Sequence, residues 1–244
     1  MRARRLWLSI FLSILFTGII FLLLARFRFS SNLANVIQSL GIPSEEASFV
    51  AIYPIGAIFS LSIVLILYVI IRVDKPNSWK EYLAIRTFDG KGVLYAFLIA
   101  ATFNLTEVAF LNLMIFKPLE QFLISFGLPS SPTFGSVPDQ YLFLNIVVLV
   151  LFWWIEVPEE LFFRGYVQNR LQEKYGKNVA MLLSVVIWDL WHINGVAQYL
   201  RRFFSGLIAH GLIFRWRQNS YPVMLEHSIG NRIGTAIALI NSHM

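Results

Sequence analysis

Long apolar runs separated by short polar ones set the first expectation for this chain. Leu6 to Ala25 is a run of about 20 mostly apolar residues behind Arg2, Arg4 and Arg5, enough as a helix to cross a hydrocarbon core of about 30 Å. It is longer than the apolar region of a secretory signal and has no small-x-small cleavage site before Arg26, so it reads as a span rather than a leader. Residues 26–48 form a polar connection with Gly41-Ile42-Pro43 as a turn signal, and a second span follows from about Phe49 to Ile71. A third runs from about Val93 to Phe116, interrupted by Asn104 and Glu107. Residues 117–140, rich in proline and glycine, read as an external loop with a short interfacial helix at most.

From Tyr141 to about Val157 the chain returns to the membrane, and three further apolar stretches follow at about Val179 to Ile193, Leu200 to Trp216 and Tyr221 to Ile240. The pattern predicts an all-α protein, a polytopic membrane helix bundle of about seven to eight helices with a polar intramembrane cavity. No repeat is evident and no loop is long enough to hold a soluble domain. We expect amino-terminal helices and loops over 1–140 and the chemistry-bearing core over 141–244.

Composition agrees: 57% of the 244 residues are hydrophobic and 14% charged, too apolar for an ordinary soluble domain. The net charge of +6 is not a nucleic-acid footprint, because the cations collect between apolar runs and form no basic stripe. Arg72, Lys75, Lys80, Arg86 and Lys91 make 72–91 the densest cationic loop, which predicts that this loop and the amino terminus are cytoplasmic. With no organelle signal in view, the expected location is a prokaryotic cytoplasmic membrane. Cysteine is absent, which removes disulfides, thiolate metal sites and a cysteine nucleophile together.

Against that background the stretch Pro158-Glu159-Glu160-Leu161-Phe162-Phe163-Arg164-Gly165 needs a reason. An ionised side chain near a bilayer centre costs about 2.5–3.5 kcal/mol on insertion scales, so such groups face protein or a water-filled cavity. On a helix Glu160 and Arg164 can pair at i, i+4, while Glu159 is rotated roughly 100° away. Pro158 suits either a kink or the first turn of a new helix. Two more polar groups stand in apolar helices: Trp188-Asp189-Leu190-Trp191-His192, and His227-Ser228-Ile229-Gly230-Asn231, whose His227 and Asn231 share a face. Singly, each histidine or asparagine is explained by helix packing. Together, a glutamate and a histidine flanking one water can remove its proton, and N–H groups from a second histidine and an asparagine can stabilise the resulting oxyanion.

Glu159-Glu160-x-x-x-Arg164, then Trp188-x-x-x-His192, then His227-x-x-x-Asn231 resemble the three ordered motifs of the type II CAAX prenyl protease family, also called the CPBP or Abi family of intramembrane proteases. The resemblance covers about residues 141–240 and includes the Phe163-Arg164-Gly165 tail. It implies an intramembrane glutamate protease of about eight helices with a site open to the cytoplasm. It implies Glu159 and His192 as the water-activating pair and His227 and Asn231 as oxyanion donors. Glu160 and Arg164 become supporting residues, as does Trp188, where the family usually has phenylalanine. Pro158 directly before the first glutamate is a second departure, bearing on the angle at which Glu159 enters the cavity.

The implied substrate is a peptide or lipidated protein segment, prenylated CAAX-like or otherwise membrane-associated, met among membrane lipids and without nucleic acid; oligomeric state is left open. Glu159, Glu160, His192 and His227 are zinc ligands by type. The H-E-x-x-H signature is missing, however, and adjacent helical carboxylates do not chelate one ion from one face. No cofactor is therefore expected, with a zinc-dependent membrane protease as the disfavoured alternative. A non-catalytic immunity or scaffold protein of the same fold is the competing class. His210 is read as packing or cavity lining, and His243 as solvated near the carboxyl end.

Overall fold

The computed structural model describes residues 3–106, 114–115, 117–125, 147, 150–192 and 202–241. Every regular element among them is a helix and none is a strand, as an all-α membrane bundle requires. The chain divides into two compact units, one of Met1–Asn77, Phe134–Glu159 and Ser228–Met244, the other of Ser78–Thr133 and Glu160–His227.

In the first unit, α1 (Ala3–Arg26) and α3 (Ser44–Asp74) contain the expected first and second spans. The segments Arg4–Leu24 and Tyr53–Asp74 are long and apolar enough to cross a membrane, and within an apolar 18-residue window of each only 22% and 28% of the residues are buried. Leu8, Phe11, Leu12, Leu22, Leu61 and Leu65 face outward, an arrangement that water disfavours and lipid accepts. Arg5 meets Asp74 at 3.5 Å, tying the start of α1 to the end of α3.

The connection between the two spans is not wholly irregular, because α2 (Phe29–Ser39) folds within it. Arg28, at φ 49°, reverses the chain after α1. Ala34 then packs on Ala47 and Ala51, with Leu33, Ile37 and Ile42 around them. Small residues facing one another let two backbones approach, and this packing outweighs the polar composition that argued for a loop.

Residues 152–156 form a turn held to α3, where Ser60 Oγ donates to the Ile155 carbonyl and the Tyr53 and Phe152 ring centroids lie 5.9 Å apart. A new helix, α7 (Val157–Glu160), begins after it. Pro158 therefore occupies a first turn, where its missing N–H leaves no helical acceptor unsatisfied, and does not kink a longer helix.

The second unit holds α4 (Trp79–Tyr82), α5 (Gly90–Thr106), α6 (Lys117–Ser125), a π-helical stretch Leu161–Gln168, α8 (Asn169–Trp191), a second π-helical stretch Gly206–Gly211, α9 (Leu212–Arg217) and the first turns of α10 (Ser220–Asn241). The expected third span begins as α5, and its continuation from Glu107 lies outside the described residues apart from Met114 and Ile115. α6 is the short helix expected after it, and 126–140 lie outside the described residues. α8 is broken at Gly176 (φ 77°, ψ 164°), so the stretch after it runs as a separate helix towards the second motif.

Ala84, Ala96, Ile213, Phe214 and Val223 form one core cluster among the described residues of this unit. Ser220 clasps the turn before α5, its Oγ donating to Leu83 O at 2.8 Å and its N–H to Ala84 O at 2.9 Å. The glycine that ends the first motif follows from the same clasp. A Cβ on Gly165 would lie 2.5 Å from the Leu83 carbonyl oxygen, so the π-helical stretch reaches this turn only without a side chain at that position.

Candidate active site

The π-helical stretch after Glu160 carries seven consecutive buried residues, Phe162 to Gln168. Single-turn π-helical segments recur at functional sites, and this one buries Arg164 completely. Its Nε lies 3.4 Å from Glu160 Oε2, both side chains having no exposed surface. Its Nη1 donates to Ser184 Oγ at 3.2 Å, and Ser184 Oγ in turn donates to the Phe163 carbonyl at 2.8 Å. The i, i+4 pairing expected from sequence is therefore present, cross-linked to α8.

Trp188 is the hub of the second motif. Its ring lies edge-on to His192, His210 and His227, with centroids 4.9, 5.6 and 6.1 Å away, and Arg164 sits 5.4 Å above it. Gly206 makes room for the indole, since a Cβ there would stand 2.7 Å from Trp188 Cζ3.

His192 departs from the sequence reading, which put it inside a hydrophobic helix. It stands just past the end of α8 in extended geometry (φ −85°, ψ 102°). Its backbone N–H turns back to Asp189 O at 3.0 Å, and its Nδ1 lies 2.9 Å from Trp188 O. Those local bonds compete with another turn of helix. A carbonyl only accepts, so Nδ1 carries the hydrogen and Nε2 keeps a lone pair, the form that takes a proton from water.

His227, in α10, brings Nδ1 to 2.8 Å from Glu160 Oε1. His210 approaches the same oxygen at 3.6 Å through Nδ1 and reaches Glu226 Oε2 at 3.2 Å through Nε2. The two imidazole rings lie 4.3 Å apart. Glu160, His210 and His227 thus offer ligand atoms within 4.8 Å of one another, all from buried residues, and these are the described residues able to hold a metal ion. Of the four residues that are zinc ligands by type, Glu160 and His227 belong to this group.

His210, read from sequence as packing or cavity lining, packs on Trp188 and meets two carboxylates, and Glu226 was not singled out. The signal was available in both cases, because an ionisable group in an apolar run marks a cavity or a partner. Of the remaining expected residues, Glu159 is buried and belongs to the first unit, as does Asn231, whose Nδ2 donates to Glu156 Oε1 at 3.3 Å. Glu156, itself buried, is a further carboxylate that the motif spacing did not flag. Within the second unit, Glu160, Arg164, Trp188, His192 and His227 come together.

The fold and this cluster describe an α-helical membrane protein with carboxylates and imidazoles buried around one indole. Residues 141–233 match the family model described as type II CAAX prenyl endopeptidase Rce1-like, so the resemblance carried by the three motifs is shown. The chain is also 25% identical over 210 residues to CAAX prenyl protease 2 of Methanococcus maripaludis, an alignment covering 79% of this chain and 68% of that protein. No solved structure matches it.

Proposed function

We propose that this chain is an intramembrane endopeptidase that hydrolyses a peptide bond in a lipidated or otherwise membrane-associated protein segment. Glu159 and His192 activate the water, and His227 and Asn231 stabilise the oxyanion. The observation that carries the reading is the indole of Trp188, whose ring touches both His192 and His227, the two histidines that the resemblance assigns to opposite halves of the reaction. A lone pair on His192 Nε2 suits a base, and Glu159 is buried, away from the bulk solvent that a surface carboxylate would face.

Two features support a substrate that carries a lipid. An apolar groove of about 450 Å³ runs along α5, lined by Tyr95, Leu98, Thr102, Phe103 and Ile208, and it has the chemistry to take an isoprenoid chain. The methanogen relative carries the name CAAX prenyl protease 2.

The test is a comparison of cleavage in membranes or detergent between the intact chain and Glu159→Gln, His192→Ala and His227→Ala, read by mass spectrometry of prenylated peptides. A general base contributes about 10²–10⁴ and an oxyanion donor about 10²–10³ in rate. Each variant is therefore expected to lose at least about a hundredfold in turnover while remaining inserted. Normal turnover by purified Glu159→Gln overturns the assignment of that residue. A non-catalytic scaffold would tolerate both Glu159→Gln and Asn231→Ala.

A further inference from the structure

The three motifs do not include His210, yet several features of the fold serve to seat it. It lies in the second π-helical stretch, whose two glycines, Gly206 and Gly211, let the backbone close on α8. A Cβ on Gly211 would stand 3.0 Å from Met181 Cγ and 3.1 Å from Val185 Cγ2, and one on Gly206 would run into the Trp188 ring. Gln168, at the end of the first π-helical stretch, donates through Nε2 to the Gly211 carbonyl at 3.2 Å, so the two irregular stretches are bonded to each other. The His210 ring that results is buried and edge-on to Trp188.

Two consecutive residues of α10 grip this ring. Glu226 holds its edge, with Oε2 at 3.2 Å from Nε2. His227 lies against its face, the centroids 4.3 Å and the planes 30° apart, close enough for the rings to be in contact. For His227 the consequence is orientation. The outer torsion of a histidine side chain is broad and roughly two-fold, so a bond at one ring atom leaves the plane able to swing. Glu160 Oε1, at 2.8 Å, fixes only Nδ1. The face of His210 limits the rotation that remains, and the edge-on contact with Trp188 limits it further.

We propose that His210 is a positioning residue for His227: its imidazole, anchored by Glu226, fixes the plane in which His227 meets the reacting carbonyl. The proposal rests on the peptidase reading, in which His227 stabilises the oxyanion. Such a donor works only when aimed at the place where charge develops, and misplacement by about 1 Å costs about 10²-fold. His210 acts here through the flat face of its ring, so another flat ring serves in its place.

The experiment compares the full chain, purified in detergent, with two double variants, His210→Leu with Glu226→Gln and His210→Phe with Glu226→Gln. Both are apolar at 210 and leave no carboxylate charge buried beside the new residue; they differ in whether a flat ring faces His227. On prenylated peptides, the leucine variant is expected to lose about 10- to 100-fold in kcat with KM within about twofold. The phenylalanine variant is expected to return to within about threefold of the intact chain. Added to His227→Ala, the leucine pair is expected to lower kcat no further, whereas a residue that only stabilises the fold would add its loss in either background. A second readout needs no activity. The chain has four histidines, and the ring protons of His227, assigned by their absence in His227→Ala, should shift in the leucine variant as the facing ring current is lost and stay displaced in the phenylalanine variant. Native kcat in a folded leucine variant, equal losses with leucine and phenylalanine, or His227 signals that do not move overturns the proposal. Failure of the peptidase reading shows instead as unchanged turnover in Glu159→Gln, with His227 signals that still move in the leucine variant.

Discussion

Arg164 gives the sharpest test of how the site is held together. Its guanidinium has no exposed surface, lies 3.4 Å from Glu160 Oε2, donates to Ser184 and sits above Trp188. At an effective dielectric of 20, two unit charges at that distance attract by about 5 kcal/mol. Removing one partner of a buried pair costs about 3–5 kcal/mol, because the other charge is left without compensation. Against a total stability of about 5–15 kcal/mol, Arg164→Met is therefore expected to lose a large part of the margin. Adding Glu160→Gln to it should recover part of the loss, giving a coupling of at least about 2 kcal/mol in a double-mutant cycle. Arg164→Lys should restore little, since an ammonium cannot pair with Glu160, bond Ser184 and lie flat over the indole together. The seven tryptophans make fluorescence in mixed-detergent unfolding a direct assay. Loss of less than about 1 kcal/mol in Arg164→Met, or additive single variants, would refute the reasoning.

Two further outcomes follow from other contacts. In Gly206→Ala the new methyl meets the buried Trp188 ring at 2.7 and 3.0 Å; overpacking of this kind costs about 1–3 kcal/mol, and unfolding midpoint and near-ultraviolet dichroism should both change, an unaltered protein showing that the indole has room to move. Asp89, which caps α5, is held below the usual carboxylate range first by the Gly92 N–H at 2.9 Å and then by Arg217 at 2.6 Å. Its folded-state pKa lies below the unfolded one, so its contribution is present above the ordinary carboxylate range and disappears as pH falls through the folded value. Unfolding midpoints measured against pH should fall on the acid side in the native chain and less so in Asp89→Asn; parallel curves would contradict this.

Hydrophobic run length was enough to place α1, α3 and α5, because a membrane solvent leaves a helix few alternatives. It did not reveal α2, whose existence depends on Ala34 meeting Ala47 and Ala51, a contact invisible to composition. Spacing gave the Glu160 and Arg164 pair correctly, since an i, i+4 relation survives in the observed backbone. It failed for His192, where a side chain bonding its own turn ended the helix, and it marked His210 as an ionisable group in an apolar run without naming Glu160 and Glu226, the partners that other segments supply.

That difference has a physical origin. A motif records residues whose relation is fixed along one helix, whereas His210, Glu226 and Gly206 act through contacts between helices that single-helix periodicity does not encode. Gly206 is small because Trp188 occupies the space, and Trp188 in turn touches all three imidazoles. Phenylalanine, usual at this position in the family that the motifs resemble, has a smaller face and no N–H. Tryptophan at 188 and glycine at 206 are thus two halves of one packing solution, and His210, edge-on to the same indole and 3.2 Å from Glu226, is held by contacts that the three motifs do not describe.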